Sequence, residues 1–277
     1  MFKNALVSTV FAASATADKK GRKDDAEIAI CRMTTNSGVL VNAADVAGMP
    51  GGFFSLRQTV DDMGVAGKLR IAGVGFNLSP ETSHAFHIHA GAVDFTADPA
   101  TTDNICESAG GHFNPGGNDH GAWDDAIETR HVGDLMQLWT DSLGKSVYAY
   151  ETMYGNIVDD MDADYIVGNA MTIHLLVDDE GLVDSDASRK GGSAGERIAC
   201  CNIELSNSKR YNRIWEDLEE LVEDELNYME ESEKSEKSEK SEKSEKTQTE
   251  DEADNNESNV LPIDDETNFG PIPDFPD

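Results

Sequence analysis

Six of the chain's seven histidines fall between positions 84 and 131, and Asp134 follows three residues after the last of them. Neutral imidazole is the commonest protein ligand for metals, so such crowding points to metal chemistry. His87 and His89 sit in the alternating run HAFHIHA. Residues two apart on a strand share a face, so these two imidazoles can chelate one ion. His112, His120 and His131 lie in loop-like sequence, where they are free to converge, and Asp134 can add a carboxylate oxygen. A set of three imidazoles and one carboxylate is a good zinc site, whereas imidazoles alone suit copper. With His174 farther on, there are seven candidate ligands, enough for two metals if one is shared. His84 stands outside the pair and reads as structural or solvated.

The elements that must position these groups read as strands. Seven β-like runs occur: AEIAICRM, GGFFSLRQTV, KLRIAGVGFNL, HAFHIHA, KSVYAYETM, NAMTIHLLV and ERIACCNIEL. Short strands broken by turn residues predict an all-β antiparallel sandwich or barrel over residues 26–205. Two loops are long, 90–122 and 178–196, and long ordered loops carry function more often than not. Residues 206–231 change character: Ile214, Leu218, Leu221, Val222, Leu226 and Met229 recur at helical spacing among acids. This predicts a short acidic helix, packed on its own domain or used for self-association. Residues 232–277 begin with repeats of Ser-Glu-Lys and read as a disordered, low-complexity acidic tail.

The formal net charge is -32 and the isoelectric point near 4.3. Such acidity argues against nucleic-acid and anionic-membrane binding, and favours cations, basic proteins or mineral surfaces as electrostatic partners. Residues 1–17 combine Lys3, an apolar run and Ala15-Thr16-Ala17, the pattern of a cleaved secretory signal, and residues 18–25 form a charged linker. No later stretch is apolar enough to span a bilayer. The protein is therefore expected to be secreted, a setting that permits disulfides among Cys31, Cys106, Cys200 and Cys201. Asn77 and Asn256 begin N-glycosylation sequons, the first weakened by Pro80.

Taken in order, AFHIHA, CESAGGHFNP, NDHG, RHVGDL, GNAMTIHLLVDDEG and GSAGERIAC resemble the copper/zinc superoxide dismutases over about residues 26–205. The resemblance implies an eight-stranded Greek-key β-barrel or sandwich and the conversion of superoxide to O₂ and H₂O₂. It implies copper on His87, His89, His112 and His174, and zinc on His112, His120, His131 and Asp134, with His112 as the bridge. Asp178 would link His87 to His120, Cys106 and Cys200 would form the family's disulfide, and Arg197 would receive the anion beside copper. His112 would also hand on a proton. Cys31 and Cys201 are left over. Alternation turns Cys201 away from Cys200, and the first and last strands are neighbours in this fold, so a second disulfide is expected, the alternative being two buried thiols.

The chain departs from the family pattern in places. The 17 positions from His89 to Cys106 are about twice the usual gap, in a loop that normally helps form the dimer face, so homo-oligomerisation is left open. Glu196 beside Arg197 should repel superoxide, Lys190 matches a steering lysine, and Gly191 stands where threonine commonly narrows the channel. The competing function is a weakly active or non-enzymatic extracellular acidic protein on the same barrel, with a calcium, biomineral or haemolymph role for the tail.

Overall fold

The structure, a computed structural model, describes residues 26–38, 49–97 and 103–206, and farther on positions 215, 216, 218, 220, 222 and 227. The expected leader, linker, low-complexity tail and Asn256 lie outside the described residues. Strands run as β1 (Ala26–Arg32), β2 (Thr34–Thr35), β3 (Gly51–Val60), β4 (Ala66–Phe76), β5 (Ser83–His84), β6 (Phe86–His89), β7 (Leu138–Trp139), β8 (Ser146–Thr152), β9 (Ala170–His174), β10 (Arg197–Asn202) and β11 (Glu204–Leu205). Every one of the seven β-like runs holds a strand. The two-residue strands β2 and β7 fall outside those runs, and β5 overlaps one only at His84. A helix α1 (Asp186–Gly191) and two 3₁₀ turns, Ile105–Ala109 and Ile127–Thr129, interrupt the loops.

The strands form two main antiparallel sheets, ordered β11-β1-β3-β4-β8 and β2-β10-β9-β6. After β4 the chain alternates between them, through β6, β8 and β9, as a Greek key does. The result is a sandwich whose two sheets share one core and do not close into a continuous ladder among the described residues. Alternation decides which side chains enter it. Phe54 and Leu56 of β3, Ile71 of β4, Phe86 and Ile88 of β6, Tyr148 of β8, and Met171 and Ile173 of β9 are all buried there. Phe86 packs on Phe54 at 4.6 Å and edge-on to Tyr148 at 5.2 Å between ring centroids. Cys31 and Cys201 face this core from β1 and β10 and are joined by a disulfide, with Cα atoms 5.4 Å apart.

The outer face of the larger sheet is covered as well. The described positions beyond 206 are all helical, and Trp215, Leu218 and Val222 are buried while Glu216, Glu220 and Asn227 are exposed. Trp215 and Leu218 pack on Ala72, flanked by Phe53 and Val74. Ser55, Ala72 and Ala149 stand opposite one another across β3, β4 and β8, a row of small residues that leaves room for an indole. The Arg70 guanidinium lies 5.7 Å from the Trp215 ring. The helix thus docks on its own domain. Its largest anchor, Trp215, was absent from the apolar stripe read from the sequence. Truncating it should create a large cavity: Trp215→Ala is expected to cost about 3 kcal/mol or more of fold stability, read as a lower midpoint of urea unfolding with metal content unchanged.

Candidate metal centre

Strands β6 and β9 pair in register, with Phe86 opposite Ile173, His87 opposite Thr172, Ile88 opposite Met171 and His89 opposite Ala170. Phe86, Ile88, Met171 and Ile173 point into the core, so His87, His89, Thr172 and His174 share the outer face. Loops are laid against that face by backbone hydrogen bonds. The amide of Ile88 donates to Gly133 O at 2.9 Å, Phe113 N to Ile88 O at 2.8 Å, and Ala90 N to Gly111 O at 2.8 Å. A Cβ on Gly133 would lie 2.2 Å from Ile88 O, so only glycine lets the Asp134 loop come this close.

Among the described residues three groups of ligand atoms result: His87, His89, His112 and His174 in a first, His112, His120, His131 and Asp134 in a second, and His87, His120 and Asp178, a carboxylate linking the other two, in a third. Within each group one ligand atom per residue lies within 4.8 Å of all the others. The hydrogen bonds behind the rings indicate which nitrogen faces in. His89 donates from Nδ1 to Gly110 O at 2.9 Å and His174 from Nδ1 to Gly195 O at 3.2 Å, leaving Nε2 of each to face the other at 3.4 Å. His87 donates from Nε2 to Asp178 Oδ2 at 2.6 Å, and its Nδ1 is buried without a partner. In the second group Nδ1 of His112, His120 and His131 lies 2.9, 2.8 and 3.1 Å from Asp134 Oδ1. His120 donates from Nε2 to Asp178 Oδ1 at 2.8 Å, and His131 from Nε2 to Asn118 O at 3.1 Å. His112 has no such support: its Nδ1 belongs to the second group, and Nε2 is left for the first.

These contacts amount to a test of fit for metals. An orphaned buried nitrogen on His87 and two lone-pair nitrogens facing one another are unfavourable unless a cation lies between them. Four imidazole nitrogens suit copper, and three nitrogens with one carboxylate oxygen suit zinc. The residues present fit both.

Protonation follows the same division. Burial, with added repulsion among the rings, lowers His87 to about 4 and His112 and His174 to about 3. His89 falls well below its ordinary value for the same reason. Burial also opposes charge on His120, but hydrogen bonds to Asp134 and Asp178 overcome it and raise this group to about 10. Burial tends to raise the Asp134 and Asp178 carboxyls, yet their histidine partners hold both well below the usual range. Without metal, a proton on His120 supplies positive charge between the two carboxylates.

Arg197 begins β10 at the rim of the first group. Its Nη1 donates to Cys106 O at 2.8 Å and its Nη2 to Gly110 O at 2.5 Å. A disulfide joins Cys106 to Cys200, with Cα atoms 5.8 Å apart, and so fixes the carbonyls that aim the guanidinium. Asn104 ties the same loop down, accepting from Cys106 N at 3.0 Å and donating to Arg197 O at 2.9 Å. Glu107, which sequence reasoning passed over, lies 3.8 Å from Arg197 Nε. Glu196 accepts from Asn36 Nδ2 at 2.9 Å. Lys190 is exposed on α1. Gly191 packs directly against the bridging ring, since a Cβ on it would lie 3.2 Å from His112 Nε2, a tight contact. His84 is buried and donates from Nδ1 to the carbonyl of His174 at 2.8 Å, outside both ligand groups.

The insertion after His89 builds a small core of its own. Val93, Ile105, Cys106, Ala109, Ala170 and Cys200 cluster there, and Val93 exchanges two hydrogen bonds, of 2.7 and 3.2 Å, with the Asn202 side chain. Gln137 is a further residue that the sequence did not mark. Its amide accepts from Asp178 N at 3.0 Å and donates to Asp178 O at 3.2 Å, which holds in place the carboxylate between the two groups.

A β-sandwich with two donor sets sharing one imidazole defines a two-metal protein of the superoxide dismutase class. A family model for copper/zinc superoxide dismutase matches residues 51–203, and the chain belongs to that family, whose metals are copper and zinc. It is 36% identical over 148 residues to a superoxide dismutase [Cu-Zn] of Paramecium bursaria Chlorella virus 1, covering 53% of this chain and 72% of that relative. It is 36% identical over 120 residues to the extracellular superoxide dismutase [Cu-Zn] of Caenorhabditis elegans, covering 43% of this chain and 48% of that one. The solved structure of the clock protein EA4 superposes with a TM-score of 0.51 at 28% identity, covering 68% of this chain and 99% of that chain.

The histidine protonation states set a pH profile for the metal-free protein. The unfolded chain binds protons on His87, His112 and His174 near pH 6.5, whereas the fold resists them to about 4 or 3. Stability should therefore fall as pH drops from 6.5 toward 4. His120 has the opposite sign: its contribution is complete below 6.5 and is lost as pH rises through about 10. Thermal melts of chelator-treated protein should show a maximum between these windows.

Proposed function

We propose that this protein is a secreted superoxide dismutase that turns two superoxide ions and two protons into O₂ and H₂O₂. The observation that carries the reading is the pair of donor sets sharing His112, with Arg197 held at the rim of the four-histidine set. His87, His89, His112 and His174 would hold copper, and His112, His120, His131 and Asp134 would hold zinc. Copper held there would supply the one-electron chemistry that a disproportionation of superoxide needs, through its Cu(II) and Cu(I) states. The chain's own residues do the rest. Arg197 offers N–H donors to the incoming anion from a position fixed by Cys106 and Gly110. His112 would deliver a proton to the reduced anion from Nε2 only when that nitrogen is released from copper. Asp178 keeps His87 and His120 in the tautomers that present Nδ1 inward. The leader-like sequence of residues 1–17, two disulfides and an extracellular relative support secretion. The retained ligands weigh against a purely non-enzymatic acidic protein.

Metal analysis paired with a superoxide-consumption assay tests this reading. His174→Ala should lose copper and at least about 100-fold of activity, and survival of activity would defeat the assignment. Arg197→Glu should lower activity by roughly tenfold or more with copper and zinc intact; loss of copper would mean that the arginine is structural.

The electrostatics predict an inverted salt response. The net charge of -32 and Glu107 beside Arg197 oppose an incoming anion, and residues 175–177 are exposed and apolar, adding no positive charge. Salt screens such repulsion, so the rate constant should rise with ionic strength. Glu107→Gln should raise it at low salt and flatten the dependence. A rate that falls with salt would show that local positive charge dominates.

A further inference from the structure

Thr172 occupies the floor of the four-histidine set. It stands opposite His87 on β6 and opposite Cys200 on β10, and it shares the outward face of β9 with His174. It is fully buried. Its Oγ1 lies 3.1 Å from Nε2 of His174. A buried strand threonine usually returns its hydroxyl to a backbone carbonyl, but this one reaches the ligand atom of a metal-binding histidine.

His174 donates from Nδ1 to Gly195 O, so its Nε2 carries the lone pair and the Thr172 hydroxyl is the donor. No other hydrogen bond of that hydroxyl occurs among the described residues. Metal at Nε2 takes the lone pair that the hydroxyl was using. The hydroxyl is then buried with no acceptor, which is unfavourable, while its own oxygen lone pairs remain free beside the ion. We propose that Thr172 Oγ1 serves as a fifth, oxygen donor to copper, alongside the four imidazoles. The proposal rests on the copper reading above. Hard oxygen donors favour Cu(II) over Cu(I), and in copper sites a weak extra ligand tunes the reduction potential. Thr172 should therefore bias the resting ion toward Cu(II).

The test uses the full chain loaded with copper and zinc. Thr172→Val should alter the Cu(II) electron paramagnetic resonance spectrum and lower the ratio of Cu(II) to Cu(I) affinity by about tenfold, a rise of about 59 mV for a one-electron couple. Zinc content should stay unchanged. Thr172→Ser, which keeps the hydroxyl, should match the parent protein in both readouts. Thr172→Ala adds no bulk and carries the same expectation as valine, so a valine variant that fails to fold still leaves a decisive comparison. Folded variants without the hydroxyl that match the parent spectrum and affinity ratio would overturn the proposal, as would a serine variant that shifts as valine does. If the parent chain takes up no copper, the copper reading falls and this proposal falls with it.

Discussion

Asp178 is the contact on which the centre depends. One of its oxygens accepts from His87 and the other from His120, at 2.6 and 2.8 Å. Each ring spends Nε2 on this carboxylate and is left with Nδ1, which His87 presents to the four-histidine set and His120 to the set containing Asp134. A single carboxylate thus chooses the tautomer of one ligand in each set. The link is rigid because Gln137 grips the Asp178 backbone from both sides. It also requires Gly192, whose φ of 63° is left-handed and whose Cβ would collide with the Asp178 carboxylate. The loop returning from β9 is thereby fastened over both sets at once.

The rest of the fold is a way of presenting one face. Alternation on β6 and β9 divides each strand between an apolar side that builds the sandwich and a polar side that carries ligands. Loops are then drawn onto the polar side by backbone pairing, and the Cys106–Cys200 disulfide extends the same logic to Arg197. It ties the 3₁₀ turn to β10, so that the carbonyls orienting Arg197 and the strand carrying it move as one piece.

Much of this was legible in the sequence. His87 and His89 are two apart on a strand and must face together. His112, His120, His131 and Asp134 sit in ordered blocks whose residue types already suit two metals. All seven strand-like runs are strands because alternation and turn residues are local properties. What escaped is relational. Trp215 is one aromatic in an acidic stretch until Ser55, Ala72 and Ala149 line up across three strands to receive it. Glu107 is an ordinary loop acid until the turn brings it beside Arg197. Thr172 looks like a strand filler; alternation sets it on the face of His174, but only the register shows that it also stands opposite His87. Gln137 and Asn104 act through backbone groups, which leave no trace in residue spacing.

The placement of charge has its own consequence for how the site meets an anion. The helix carrying Trp215 lies on the outer face of the larger sheet, against Ala72, Phe53 and Val74. The ligands lie on the outer face of the other sheet. Packed sheets are about 10 Å apart, and side chains and loops add to that, whereas the screening length at physiological salt is about 8 Å. The exposed acids of that helix, Glu216 and Glu220, are thus largely screened from the metal face under such conditions. Glu107, 3.8 Å from the guanidinium, is not. The local field at the entrance is therefore set by the residues nearest to it, on the disulfide loop, β10 and α1 with its exposed Lys190, and the bulk acidity of the chain matters mainly for long-range approach at low salt.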